Sequence, residues 1–205
     1  MPGTYSTTEE IVRLARVVAK YNGVYASHMR DEGDSVVAAI EEALYIGNTA
    51  KLPVQISHFK VSGQQNWGRS SETLPLILNA RKNGLDVTID QYPYTASSTS
   101  LSTLIPDWVL ADGQDSIVER LSNPAIRKEV ATYMLARLSK RKLKHFSYPV
   151  VAYFAKDTTL NGKNIEEVNL FLGKKHTANC DNWASFCHCC NSCCQIRKNH
   201  SGTGW

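Results

Sequence analysis

Histidine closes two short runs of nearly the same composition, Val24-Tyr25-Ala26-Ser27-His28 and Val54-Gln55-Ile56-Ser57-His58, and the two imidazoles lie thirty residues apart. Neutral imidazole is the commonest metal ligand in proteins, so two of them delivered to one place propose metal-assisted chemistry. Ser27 and Ser57 stand beside the histidines, but successive residues of an extended segment point to opposite faces. A serine nucleophile activated by its neighbouring imidazole is therefore a poor reading. A third run, Leu85-Asp86-Val87-Thr88-Ile89-Asp90, ends in a carboxylate. Asp90 either acts at the same mouth or braces the loop that follows it. Directly after His28 comes Met29-Arg30-Asp31-Glu32-Gly33-Asp34, in which Arg30 binds a substrate carboxylate or simply pairs with Asp31 or Glu32. Lys60, two residues beyond His58 and so on the same side of an extended chain, is a carboxylate-binding cation or a surface lysine.

Such side chains act together only if the fold brings the three run ends to one place. Each run is a short apolar stretch, largely β-forming, and a helix-length amphipathic segment separates it from the next, which is the pattern of successive strand–helix units. In a parallel β/α barrel the C-terminal ends of neighbouring strands share one mouth, where active sites lie. Ser6-Thr7-Thr8-Glu9-Glu10 supplies capping residues and early acids for a first helix carrying Ile11, Leu14, Ala15 and Val18, stopped by Asn22-Gly23. Asp34 reads as the next N-cap, with Val36, Val37, Ile40, Ala43 and Leu44 striping a helix through about Ile46 that Gly47 closes. Pro53 opens the second histidine run. A loop from Val61 to Arg69 leads to a helix begun by Ser70-Ser71-Glu72, carrying Leu74, Ile77 and Leu78 and stopped by Asn83-Gly84. Beyond Tyr94 the expectation is a polar loop over 95–103, helices around 116–121 and 125–139, and an extended segment at 150–154.

The bulk properties fit an ordinary globular protein: 205 residues, 42% hydrophobic, 20% charged, net charge +4. Much of the positive charge sits at Arg137, Lys140, Arg141, Lys142 and Lys144, at the end of an expected helix, where cations are favoured. No aromatic residues are interleaved with them, so nucleic acid is not expected as a partner. No run approaches the ~20 apolar residues of a membrane span, and the N-terminus has no basic-then-apolar signal, which gives a cytoplasmic expectation and no membrane partner. All six cysteines fall between Cys180 and Cys194, and residues 177–205 hold one aliphatic side chain larger than alanine, Ile196. The expected organisation is an α/β partial barrel over 1–176 and a Cys-rich tail over 177–205 that is disordered or translated out of frame. A zinc site built on Cys187-His188-Cys189-Cys190 and Cys193-Cys194 is the competing reading of that tail, though its ligands lack the usual long spacer.

Three segments in order, Ser27-His28-Met29-Arg30-Asp31-Glu32-Gly33-Asp34, Val54-Gln55-Ile56-Ser57-His58-Phe59-Lys60 and Asp90-Gln91-Tyr92-Pro93-Tyr94-Thr95-Ala96-Ser97-Ser98, resemble the N-acyl-D-amino-acid deacylases, the D-aminoacylases of the amidohydrolase superfamily. Pro2-Gly3-Thr4-Tyr5 and Asn161-Gly162-Lys163 look like the same family, so the likeness runs from residue 2 to about 175. It implies a TIM-type (β/α)8 barrel hydrolase, of which this chain resembles about the second half, acting on the amide bond of a small-molecule N-acyl-D-amino acid. It implies zinc as cofactor, bound by His28 and His58, which match the histidines ending the fifth and sixth barrel strands. The zinc polarises the scissile carbonyl and lowers the pKa of a bound water, and an aspartate ending the last strand passes the proton to the leaving nitrogen. Lys60, Tyr92 and Ser98 match residues suited to holding the substrate carboxylate. The family's His-x-His pair, its metal-binding cysteine and its catalytic aspartate have no match here, and Asp90 belongs to the preceding strand. The expectation is a fragment inactive by itself, with a non-catalytic zinc-binding protein or a degenerate barrel remnant as alternatives.

Overall fold

The computed structural model describes residues 5–94, 96–171 and 194–199. The span read as one partial barrel forms two compact units that divide between Pro93 and Tyr94.

In the first unit, Thr7 caps helix α1 (Thr8–Ala19) by accepting a bond from the Glu10 N–H, and Glu9 and Glu10 sit in the turn where the helix dipole favours acids. Strand β1 (Tyr25–Ser27), helix α2 (Val36–Ala50), strand β2 (Val54–Ile56), helix α3 (Ser70–Lys82) and strand β3 (Val87–Ile89) follow. The strands form a parallel sheet in the order β1-β2-β3, with Tyr25, Val54 and Val87 in one register row and Ser27, Ile56 and Ile89 in another. Parallel neighbours require a crossover, which α2 and α3 supply. Their apolar residues, Val36, Ala39, Ile40, Ala43 and Ile77, enclose Val54, Ile56 and Val87 in one core. Each such side chain removed from water contributes about 1.5–3 kcal/mol. The row between, Ala26, Gln55 and Thr88, faces the other way, with Ala26 and Thr88 exposed.

Helix α1 buries Val12 and Ala15 against Ile46, Ala50 and Leu52, whereas Leu14 and Val18, expected in its core stripe, are exposed. On α3 it is Ile77 that is buried, while Leu74 and Leu78 are exposed. Helix α2 does not stop at Gly47. It continues to Ala50 and ends on Lys51 in the left-handed region (φ 59°), a common helix exit. Gly47 is a point of close approach instead, because a Cβ there would stand 2.1 Å from Cγ2 of Val54. Asp34 is not the N-cap of α2 either. Ser35 takes the cap position with no side-chain bond, and the Asp31 carboxylate orders the loop before it by accepting from the N–H groups of Gly33 (2.8 Å) and Ser35 (2.7 Å). The Asp34 carboxylate is taken by the side chain of Asn66 (2.8 Å), on a single 3-10 turn, Gln64–Asn66, inside the loop expected over 61–69.

The second unit contains strand β4 (Ala96–Ser100), helices α4 (Asp107–Leu110), α5 (Gln114–Ser122) and α6 (Pro124–Lys140), strand β5 (Pro149–Phe154), helix α7 (Ile165–Phe171) and strand β6 (Cys194–Asn199). The Ser/Thr-rich run expected as a loop is thus a strand followed by a 3-10 turn at Leu101–Leu104. It has no apolar alternation to announce it, since its order comes from backbone pairing with β6. That strand lies in the span expected to be irregular and runs antiparallel between β4 and β5, with Ile196 opposite both Thr99 and Val151. The expected helices around 116–121 and 125–139 are α5 and α6, and Val109, Ile117, Leu121, Val130, Met134 and Leu138 from α4–α6 pack with Val151 and Phe154 of β5. At the basic end of α6, Arg141 stacks over the ring of Tyr148 at 5.1 Å. No helix among the described residues is long and apolar enough to cross a membrane.

Candidate metal centre

The parallel register turns a spacing of about thirty residues along the chain into adjacency in space. Ser27 and Ile56 are register partners, one residue and two residues before the two histidines, and the Ser57 N–H donates to the Ser27 carbonyl at 2.9 Å. His28 and His58 therefore emerge side by side past the C-terminal ends of β1 and β2. Their rings stack with centroids 4.5 Å apart, and Nδ1 of His28 faces Nε2 of His58 at hydrogen-bond contact.

His58 reaches that position by an uncommon backbone turn, with φ at +43° in the left-handed region. Non-glycine residues hold such a conformation only where the surroundings fix it. Asp90, at the end of β3, does the fixing. Its Oδ1 accepts the His58 N–H at 2.6 Å and its Oδ2 accepts Nε2 of Gln55 at 2.9 Å, while its main chain bonds Ile56 and Phe59. The bond from the His58 amide is the largest cause holding the Asp90 carboxyl below its ordinary pKa, with the Gln55 bond and the nearby imidazoles adding to it. Asp90 therefore braces β2 and the turn at His58, and these bonds go to the neighbouring strand and not to the loop that follows Asp90.

Glu32, which the spacing argument offered only as a partner for Arg30, lies at the other nitrogen of His58. Its Oε1 is 2.6 Å from Nδ1 of His58 and 2.8 Å from Nζ of Lys60. Lys60 also contacts the His58 carbonyl (3.2 Å) and lies 5.3 Å from the centroid of the Tyr92 ring. His28, His58, Lys60 and Tyr92 are thus brought together. Arg30 turns elsewhere: its Nε pairs with Glu42 on α2 at 2.7 Å and a terminal nitrogen donates to the Ser6 carbonyl, tying the start of α1 to α2. Ser98 belongs to the second unit, on β4, with Arg197 as its register partner. Ser27 spends its hydroxyl on the His28 carbonyl at 2.9 Å. The cysteine cluster from Cys187 to Cys193 lies outside the described residues. A periodic reading had no means of finding Glu32, which sits in a loop four residues past His28; the only clue was the crowding of acids there.

Two imidazole nitrogens brought into contact are donors of the type that zinc takes. Among the described residues no group of three or more His, Cys, Asp or Glu side chains is arranged to hold a metal ion. The pair fits zinc as two of the four donors it takes.

No family model matches the chain. Among curated proteins it is 50% identical over 116 residues to the D-aminoacylase of Alcaligenes xylosoxydans xylosoxydans, covering 57% of this chain and 23% of that protein. It is 39% identical over 140 residues to the N-acyl-D-glutamate deacylase of the same organism, covering 68% of this chain and 27% of that one. Among solved structures, a D-aminoacylase described as defining a novel subset of amidohydrolases superposes with a TM-score of 0.63 at 30% identity, over 97% of this chain and 32% of that one. The chain belongs to the N-acyl-D-amino-acid deacylase family. It spans about a quarter of the length of the curated deacylases it matches. Another deacylase structure, the N-acyl-D-glutamate enzyme of Bordetella bronchiseptica complexed with zinc and a phosphonate inhibitor, superposes with a TM-score of 0.66 at 26% identity, over 97% and 32%. A further D-aminoacylase in the family is described by its binuclear metal centre.

Proposed function

We propose that this chain carries two metal-ligating histidines and part of the substrate-binding wall of a zinc-dependent hydrolase that cleaves the amide bond of N-acyl-D-amino acids. The observation that carries the reading is the convergence of His28 Nδ1 and His58 Nε2 past the ends of adjacent parallel strands. The family supplies the substrate class, and the zinc bound by the Bordetella relative supports the choice of metal. Zinc bound at such a site supplies a Lewis acid for the scissile carbonyl and for water.

The chain's own residues do the positioning. His28 and His58 would hold the metal, Asp90 fixes the backbone of His58, and Lys60 beside Tyr92 presents an ammonium to the carboxylate that every N-acyl amino acid carries. Arg30 has no part in this, its guanidinium being committed to Glu42. In this reading β1-β2-β3 with α2 and α3 are consecutive units of a (β/α)8 barrel, and the remaining ligands and the proton-carrying acid come from outside the described residues. The test is a chimera in which the segment of the Alcaligenes D-aminoacylase aligned with this chain is exchanged for the one carrying His28 and His58. Hydrolysis of N-acetyl-D-methionine, lost together with zinc in His28→Ala and His58→Ala, is the expected result. Full zinc content in both variants refutes the assignment.

A further inference from the structure

We infer that Glu32 is the positioning residue of His58: it holds the proton of that imidazole on Nδ1 and so presents the Nε2 lone pair to the metal. The inference rests on the metal reading of the site above and adds a residue that reading does not use.

The surroundings of Nδ1 decide which nitrogen of His58 carries the proton. Two groups reach it, the Glu32 Oε1 at 2.6 Å and the Lys60 Nζ at 3.0 Å, and they require opposite tautomers. A carboxylate only accepts, so it needs a proton on Nδ1, whereas an ammonium only donates, so it needs a lone pair there. The shorter contact is the carboxylate's. Lys60 also has other acceptors, Glu32 Oε1 at 2.8 Å and the His58 carbonyl at 3.2 Å, so it does not depend on the ring. With the proton on Nδ1, Nε2 is bare, and Nε2 is the atom that faces His28. A metal-ligating histidine commonly gives its second N–H to a carboxylate, which fixes the ring and raises its basicity.

Glu32 is itself held in place. Its Oε2 lies 3.4 Å from the Ser62 hydroxyl, and its backbone carbonyl accepts the Ser62 N–H at 2.6 Å. The loops after β1 and β2 are thereby joined at this residue, and the glutamate side chain is only 22% exposed. A surface glutamate that happened to drift near an imidazole would lack both anchors.

The test uses the full chain at pH 8. Side-chain ¹H–¹⁵N correlation spectra of histidine report which nitrogen carries the proton, and zinc titration reports affinity. The expected result is a protonated Nδ1 on His58 in the wild type, loss of that preference in Glu32→Leu, and zinc binding weakened about 10–100-fold in that variant. Glu32→Gln keeps an acceptor of the same reach, so it keeps the tautomer and loses less affinity. Glu42→Gln, a carboxylate change on the same unit away from His58, alters neither. An unchanged tautomer and a zinc affinity within twofold in Glu32→Leu overturn the inference, as does loss of the Nδ1 proton in Glu32→Gln. Should the wild-type chain, with two of the four donors, bind no zinc, the tautomer spectra alone decide the role of Glu32, and the metal reading is decided by the zinc content of the chimera.

Discussion

Removing the Asp90 carboxylate, by Asp90→Ala, tests whether the site is built by its backbone as much as by its ligands. His58 sits at φ +43°, a region that costs a non-glycine residue about 1–2 kcal/mol. Opposing that cost is the bond from its N–H to Asp90 Oδ1 at 2.6 Å. A hydrogen bond to a charged group contributes about 1.5–3 kcal/mol, and the exposure of Asp90 places this one at the low end. The two quantities nearly cancel, so the wild-type conformation is held with little to spare. Without the carboxylate the left-handed state becomes the minor one by about 1–2 kcal/mol, which is a factor of 5–30 in population. With the wild-type turn about half populated on this balance, a metal that binds only the assembled pair then binds about 3–15-fold more weakly. Zinc affinity is measured by calorimetric titration on the full chain, and the φ-sensitive amide–α-proton coupling of His58 reports the backbone directly. Asp90→Asn, which keeps an acceptor, is expected to lie between wild type and Asp90→Ala. Unchanged affinity together with an unchanged coupling in Asp90→Ala refutes the reasoning, because the turn would then be fixed by something other than this bond.

Gly47→Ala brings a Cβ to within 2.1 Å of Val54 Cγ2, and overpacking at a buried strand residue, about 1–3 kcal/mol, outweighs the gain of about 1 kcal/mol in helix propensity. Faster amide exchange at Gln55 and Ile56 is the expected readout, and slower exchange would show that the strand yields. Arg30→Ala breaks the Glu42 pair and the Ser6 contact, so it is expected to cost the first unit up to ~1 kcal/mol while leaving the chimera's KM unchanged. A tenfold rise in KM with no loss of stability would return Arg30 to the substrate. Lys60→Met is expected to raise the chimera's KM for N-acetyl-D-methionine about 10–100-fold, the loss of one charge-assisted bond, with a much smaller effect on zinc content. Asp31→Ala removes the acceptor of the Gly33 and Ser35 amides in the loop entering α2 and is expected to cost the first unit about 1 kcal/mol, read by faster exchange of those two amides.

The sequence was legible where one rule governed. Three β-rich runs separated by amphipathic segments became three parallel strands, and the residues ending them, His28, His58 and Asp90, arrived at one end of the sheet because the register is even. Misreadings came where two rules competed at one residue. Gly47 looked like a helix stop because glycine exits helices readily, but its missing side chain also lets α2 approach β2, and the packing prevailed. Asp34 is a good capping residue by type, but the path of the loop takes its carboxylate to Asn66 and leaves Ser35 at the cap of α2. Ser98 and its neighbours showed no apolar alternation, since β4 is ordered by a partner strand a hundred residues away. Glu32 was invisible for a related reason: its work is done through loop geometry, which leaves no periodic trace.

The placement of the acids explains why both histidines can be ligands without being flexible ones. Imidazole binds a metal only with a lone pair directed at it, so a ligand histidine needs its backbone, its ring rotation and its tautomer settled beforehand. At His58 these three requirements fall to different groups. Asp90 fixes the backbone from β3, the stacked ring of His28 limits rotation from β1, and Glu32 faces the remote nitrogen from the loop between β1 and α2. Each comes from a strand end or the loop behind it, so the parallel sheet that brings the two imidazoles together also brings the means of holding them. Asp90 takes the amide of His58 and Glu32 faces its Nδ1, so two acids from separate strand–helix units divide the work of holding one imidazole.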